Sequence, residues 1–216
     1  MANDRLRTRA AAELSWDPRV DSQDITVSAE GGMVALHGTV GSFRQKRDAD
    51  SAARRVSGVT GITNYLRVRL PDRDRRADAD VHADVRRALA LNGRVPATVR
   101  TMVTAGFVTL SGVAAWQYQR DEAELACAAV PGVVDVDVAI SLRQAPADDG
   151  IQQAISAALR RRARLDRFEL SVDCPLPGRA VLSGAVSCCA ERDDAVAAAW
   201  SAPGIIDVDN RIVVAR

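Results

Sequence analysis

The sequence predicts an α+β protein of three tandem α-β-β-α-β modules, and three observations carry that expectation. First, three glycines recur three times: Gly32, Gly38 and Gly58; Gly106, Gly112 and Gly132; Gly178, Gly184 and Gly204. Six residues separate the first two in every set (32 to 38, 106 to 112, 178 to 184) and twenty the last two. Second, an apolar stripe with a four-residue repeat precedes each set: Leu6, Ala10 and Leu14; Val81, Val85 and Leu89; Ile151, Ile155 and Leu159. That spacing places each stripe on one face of a helix. Third, the segment between the second and third glycines is rich in small apolar residues at helical spacing, such as Ala49, Ala52, Ala53 and Val56.

Module 1 starts with a helix over Asp4 to Leu14, ended by Trp16-Asp17-Pro18 because proline disfavours helical geometry in the residue before it. Ile25-Thr26-Val27 alternates as a strand, Glu30-Gly31-Gly32 turns, and Met33 to Val40 returns, which makes a hairpin. A second helix is expected over Phe43 to Val56 with Gly58 as its cap. Ile62, Asn64, Leu66 and Val68 form a third strand. The mixed-charge segment Pro71 to Arg76 reads as a solvated linker.

Module 2 repeats the plan. Asn92-Gly93 stops its first helix. Val99 to Val103 and Phe107 to Val113 form the hairpin, and Tyr118 to Val130 the second helix, with Ala123, Ala126, Cys127 and Val130 turned inward. The last strand carries Val134, Val136, Val138 and Ile140, and Gln144 to Ala147 forms the next linker. In module 3 the strand of Phe168, Leu170 and Val172 meets Cys174-Pro175-Leu176-Pro177-Gly178 where the other modules have a compact turn. A longer or distorted hairpin is expected there, and this module is the one suspected of being degenerate. Val181 to Val186, a helix over Glu191 to Ala202 and a final strand ending near Val214 follow. The module bounds are 1–71, 76–143 and 148–216.

Each module is small enough to hide only about 60% of its unfolded surface on folding, so packing between modules is expected to help. Aromatic residues are 4% of the chain, which leaves Val, Ile, Leu and Ala to build the cores. Residues 1–71 carry 11 Lys and Arg against 8 Asp and Glu; residues 72–143 and 144–216 each carry 9 against 10. No module is basic enough for nucleic acid to be its main partner. No run approaches the roughly 18 apolar residues of a membrane span. Met1 to Arg7 has no apolar stretch after its charges, so a cytoplasmic location, peripheral to a membrane, is expected.

The strings GMVALHG, GFVTLSG and GRAVLSG, each followed by a helix, a glycine with Val or Ile, and a final strand, resemble the BON family. Asp17-Pro18-x-Val20-Asp21 fits the same family. The resemblance covers nearly the whole chain as three copies in register. It implies an α-β-β-α-β fold with both helices on one face of a small sheet. It also implies binding to phospholipid membranes or support of protein interaction, in a family many of whose members live in the bacterial envelope.

Two readings of the hallmark glycines stand. Gly38, Gly112 and Gly184 could let a ligand approach the backbone. The structural reading, which is the expected one, is that a side chain there would strike the crossing helix or that the strand bends. The basic run Arg160, Arg161, Arg162, Arg164 and Arg167 lies at a helix C-terminus, where cations complement the dipole. It is the candidate site for anionic lipid, against the plainer reading of a solvated helix end. Trp116 and Trp200 are candidate interface residues, for a membrane, a protein partner or packing between modules. A nucleophilic cysteine needs a nearby base and zinc needs about four spaced ligands; Cys188-Cys189, with His37 and His82 in other modules, offers neither. No catalytic residue, metal or cofactor is therefore expected. The expected function is non-catalytic binding of anionic phospholipid in an envelope or stress-related role, with a protein-interaction or self-assembly scaffold, including a homo-oligomer, as the alternative.

Overall fold

The computed structural model describes residues 2–143, 150–162, 165 and 169–215. In module 1 the order is α1 (Ala2–Trp16), β1 (Ile25–Glu30), β2 (Met33–Val40), α2 (Phe43–Arg54) and β3 (Gly61–Val68). A 3-10 turn at Asp72–Asp74 interrupts the charged linker. Module 2 follows with α3 (Asp78–Leu91), β4 (Arg100–Thr104), β5 (Phe107–Ala114), α4 (Gln117–Ala128) and β6 (Asp135–Leu142). Module 3 has α5 (Ile151–Arg160), β7 (Ser171–Leu176), β8 (Arg179–Val186), α6 (Cys189–Trp200) and β9 (Asp207–Val214). The chain divides into two compact units, Met1–Val113 with Gln119–Ser141, and Ala114–Tyr118 with Leu142–Arg216. The linker segment Gln144 to Ala147 lies outside the described residues.

Every module forms a three-stranded sheet with its second strand in the centre. The hairpin is antiparallel, with Ile25 opposite Gly38 and Glu30 opposite Met33 in module 1. The last strand returns through the second helix to lie parallel to the central one, from Met33 beside Gly61 to Val40 beside Val68. Module 3 repeats both pairings. Alternation along the central strand sorts the two faces. Val34, Leu36 and Val40 are buried while Met33 and His37 face outward. Beneath the buried face sit Leu6, Ala10 and Leu14 of α1 and the fully buried Ala49, Ala52 and Ala53 of α2. Alanines there let the helix approach the sheet closely, and both helices occupy one face. Module 2 uses Val108, Leu110 and Ala114 in the same way, and module 3 uses Ala180, Leu182 and Val186.

Local chemistry fixes the start of α2. Ser42 is the N-cap and accepts from the Gln45 backbone N–H, while the Gln45 side chain accepts from Gly41 N–H at 3.0 Å. Ser42 thus satisfies one helix-end donor, and Gln45 reaches back past the cap to hold the residue before it, a variant of the capping box. Its C-terminus differs from the expected one. The helix ends at Arg54, Arg55 is its cap in ordinary helical geometry, and Gly58 comes later with φ 91° in the turn closed by Val59 N–H to Val56 O. The glycine thus serves the turn into β3 rather than the helix cap.

The module 3 hairpin also departs from expectation. Leu176 pairs with Arg179 across a two-residue Pro177-Gly178 turn, and the register shifts between Asp173 and Leu176. The turn is short, and the irregularity lies inside β7 around Pro175, which has no N–H to give a ladder. Leu170 precedes this strand, and Phe168 lies outside the described residues.

The glycine triplets form a connected device. In each module the first glycine turns the hairpin and its carbonyl accepts from the head of the last strand: Gly32 O from Thr60 N at 2.8 Å, Gly106 O from Val134 N at 2.9 Å, Gly178 O from Ile206 N at 2.8 Å. A Cβ at Gly106 would stand 2.8 Å from Gly132 O, and one at Gly178 would stand 3.1 Å from Gly204 O, so first and third glycines pack together.

Candidate functional site

The second glycine of each set is structural, for a reason other than the expected helix clash. Gly38, Gly112 and Gly184 have φ of 120°, 131° and 128°. A Cβ on Gly112 would reach 2.5 Å from Thr98 O and one on Gly184 would reach 2.7 Å from Glu169 O, while Gly38 faces Asp24 O more closely still. The obstacle is the carbonyl of the chain entering the first strand, not the crossing helix, and it fills the space a ligand would need.

The basic run is divided. Arg160 and Arg161 are exposed at the C-terminus of α5. Arg162 turns inward, and its guanidinium donates to Asp194 O of α6 at 2.7 Å. Arg164 and Arg167 lie outside the described residues. Trp116, between β5 and α4, and Trp200, the last residue of α6, are both half-buried.

Two residues of the kind sought in those tryptophans stand elsewhere. Trp16, the last residue of α1, is 84% exposed, and Leu91, the last residue of α3, is 80% exposed. These are the two most exposed large apolar side chains among the described residues. The sequence carries no sign of them: both fall outside the four-residue stripes Leu6-Ala10-Leu14 and Val81-Val85-Leu89, and nothing local marks which way a helix-end side chain turns.

One carboxylate in each module is gripped by guanidinium groups. Asp17, nearly buried, accepts from Arg19 N (3.1 Å), Nε (2.9 Å) and a terminal guanidinium N–H (2.6 Å), and from Arg55 at 2.8 Å. The Arg19 hydrogen bond, then that of Arg55, holds its carboxyl well below the usual carboxylate range. Glu122 is held down by Arg94 and then Asn92, and Asp209 chiefly by Arg211. Such groups stay ionised near neutrality, whereas a general acid requires a raised value. Burial pushes the Cys127 thiol up to about 12 and also raises Cys174, which makes a thiolate scarcer. Cys189 is buried beside the Arg192 guanidinium, His37 stacks on Tyr65 at 4.9 Å, and His82 Nε2 lies 3.2 Å from Thr101 O. Among the described residues no cluster of His, Cys, Asp or Glu could hold a metal ion. No described helix is long and apolar enough to cross a membrane.

Cys127 and Cys189 are buried while Cys174 and Cys188 are partly exposed. Ellman's reagent is therefore expected to reach Cys188 first and Cys174 more slowly in the native protein, and Cys127 and Cys189 only on unfolding. Four rapid native thiols would contradict these placements.

The fold and its sites define a class of protein: a tandem array of small α+β modules with repeated glycine-built hairpins. The BON domain model matches residues 2–69, 77–144 and 147–216, and the chain belongs to that family. It is 30% identical to the osmotically-inducible protein Y of Escherichia coli (strain K12) over 141 residues, which cover 63% of this chain and 70% of that protein. Two solved structures of CdsD, a structural protein of the type III secretion system of Chlamydia trachomatis, align at 16% identity. The first covers 97% of this chain and 91% of its own, with a TM-score of 0.25. The second, of the C-terminal domain, covers 98% of both, with a TM-score of 0.27.

Proposed function

We propose that this chain is a non-catalytic tandem BON protein that docks peripherally on anionic phospholipid surfaces in an envelope or stress-related role. The observation that carries the reading is the bare apolar side chain at the end of the first helix in modules 1 and 2. A tryptophan there suits the membrane interface, where its ring is covered and its N–H stays wet. Module 3 ends its first helix in the exposed Arg160 and Arg161 instead. Basic residues near an anionic surface contribute about 1 kcal/mol each. Linked weak sites raise effective concentration, so the array binds where one module would not. The kinship with osmotically-inducible protein Y supports the stress-related part.

Flotation with vesicles of phosphatidylglycerol and phosphatidylcholine tests this. The protein is expected to float with anionic vesicles only, and less as salt rises. Trp16→Ser should weaken binding about ten- to a hundredfold, the loss of roughly 1.5–3 kcal/mol of apolar burial. Equal flotation on neutral vesicles, or an unchanged Trp16→Ser variant, overturns the proposal.

A self-assembly or protein-interaction scaffold is the second reading. It is favoured by the apolar residues left uncovered on the outer sheet faces, Tyr65, Met102, Phe107 and Val213 among them, each more than half exposed. Light scattering would then show a mass that rises with concentration, and a constant monomer mass removes self-assembly.

A further inference from the structure

We propose that module 2 holds a binding site for a small water-soluble organic anion, a carboxylate or phosphate monoester with a short apolar body. The site is the cleft between α3 and the segment that leads into β4. Its volume is about 760 Å³, inside the range of small-molecule sites, which combine apolar walls with a few placed polar groups. Leu89, Val95, Pro96 and Val99 give it an apolar floor, and no Asp or Glu lines it.

No negative charge opposes the arginines of the cleft. His82 and Arg86 lie one turn apart on the same face of α3 and line the cleft; Arg100 borders it from a strand position that alternates toward the outer sheet face. Arg86 and Arg100 make no ion pair among the described residues. The nearby acids are already engaged and do not line the cleft: Asp84 by Arg76 and Arg87, Glu122 by Arg94 and Asn92. Thr101 pairs in register with the buried Leu110, so its side chain is on the helix-covered face. Its Oγ1 is buried and has no hydrogen-bond partner among the described residues. A guanidinium fork and an unused hydroxyl beside an apolar floor suit an anionic head with a short apolar tail.

Comparison among the repeats separates the group the fold uses, His82, from the one it does not, Arg86. Aligned on the buried helix stripes Leu6-Ala10-Leu14 and Val81-Val85-Leu89 and on the hairpin registers, the positions of His82, Arg86 and Arg100 hold Arg7, Ala11 and Thr26 in module 1. In module 3 they hold Gln152, Ser156 and Ser171, and Gln152 Nε2 donates to Val172 O just as His82 Nε2 meets Thr101 O. An arginine at the Arg86 position belongs to module 2 alone, in a stretch of the chain whose overall charge is slightly negative. The inference stands on this cleft and does not rest on membrane docking.

Titration calorimetry of the full chain tests it, with octyl phosphate and octanoate below their micelle concentrations, inorganic phosphate and octanol as part-ligands, and phosphatidylglycerol vesicles as a separate arm. One equivalent of octyl phosphate or octanoate is expected to bind, more tightly than inorganic phosphate or octanol, with amide NMR shifts confined to residues 82–101. Arg86→Gln should weaken binding about tenfold, the scale of one charge-assisted hydrogen bond. Arg86→Lys should recover part of the loss, and Thr101→Val should weaken binding several-fold. Arg86 is exposed, so its variants should melt with the wild type. Absence of binding by both octyl compounds, an undiminished Arg86→Gln/Arg100→Gln variant, or interaction with the vesicles alone overturns the proposal.

Discussion

Gly38→Ala is expected to destabilise the protein by about 3 kcal/mol or more, while Gly93→Ala leaves it essentially unchanged. The two substitutions add the same methyl group. At Gly38 the backbone has φ 120°, a conformation that costs an L-residue about 1–3 kcal/mol. The new Cβ would also overlap the Asp24 carbonyl, backbone that already receives Thr39 N–H at 3.3 Å and cannot swing away as a side chain would. At Gly93 nothing lies within 4 Å of an added Cβ. Urea unfolding separates the pair, since a shifted midpoint at constant slope reports stability alone. Equal midpoints would show that the glycine at the hairpin's end is not under the constraint described. Gly112→Ala and Gly184→Ala are expected to follow Gly38→Ala.

Asp17→Asn is expected to lower the melting temperature by several degrees at neutral pH and to make the remaining stability less sensitive to acid. The carboxylate ties the loop after α1 to Arg55, beyond the end of α2, and so locks the two helices together at one end. Its folded-state proton affinity lies below that of the unfolded chain, whose aspartates titrate near 3.9. The ion pairs therefore contribute in full above about pH 5 and fade as the pH falls through and below that value, because the unfolded state takes up the proton first. The melting curves of wild type and variant should differ most near pH 7 and converge below about pH 4. A gap that stays constant from pH 7 to pH 3 would assign the effect of Asp17 to packing rather than charge.

The chain displays its architecture because the information is local and repeated. A four-residue apolar stripe, alternation beside a turn glycine and a second stripe of alanines are each set by neighbours in sequence, and three copies confirm one another. The family followed from the same residues. What stayed hidden depends on distant chain segments. The grip of Arg55 on Asp17, the approach of the Asp24 carbonyl to Gly38, and the ion pairs of Lys46 with Asp135 and Arg47 with Glu124 between modules 1 and 2 join residues with no sequence signal linking them. Surface position is equally illegible when composition points the other way. Trp16 and Leu91 carry no mark of exposure in the sequence, whereas Trp116 and Trp200, which looked available, are half covered. The basic run read as one feature, yet Arg162 belongs to the packing of α5 against α6. Likewise the cleft of module 2 shows only once α3 and β4 are side by side.

The carbonyl of each turn glycine, taken up by the head of the third strand, bears on how a module folds. The hairpin needs only neighbouring residues and can zip early, but its parallel partner arrives after a whole helix has been laid down. Parallel pairing across such a crossover is the slow, entropy-limited step. The glycine turn is where that late strand first finds its register, because Gly32, Gly106 and Gly178 present a fixed acceptor at the very end of the finished hairpin. One slip there would turn every side chain of the strand to the wrong face. The residue that bends the chain is thus also the landing mark for the strand that completes it.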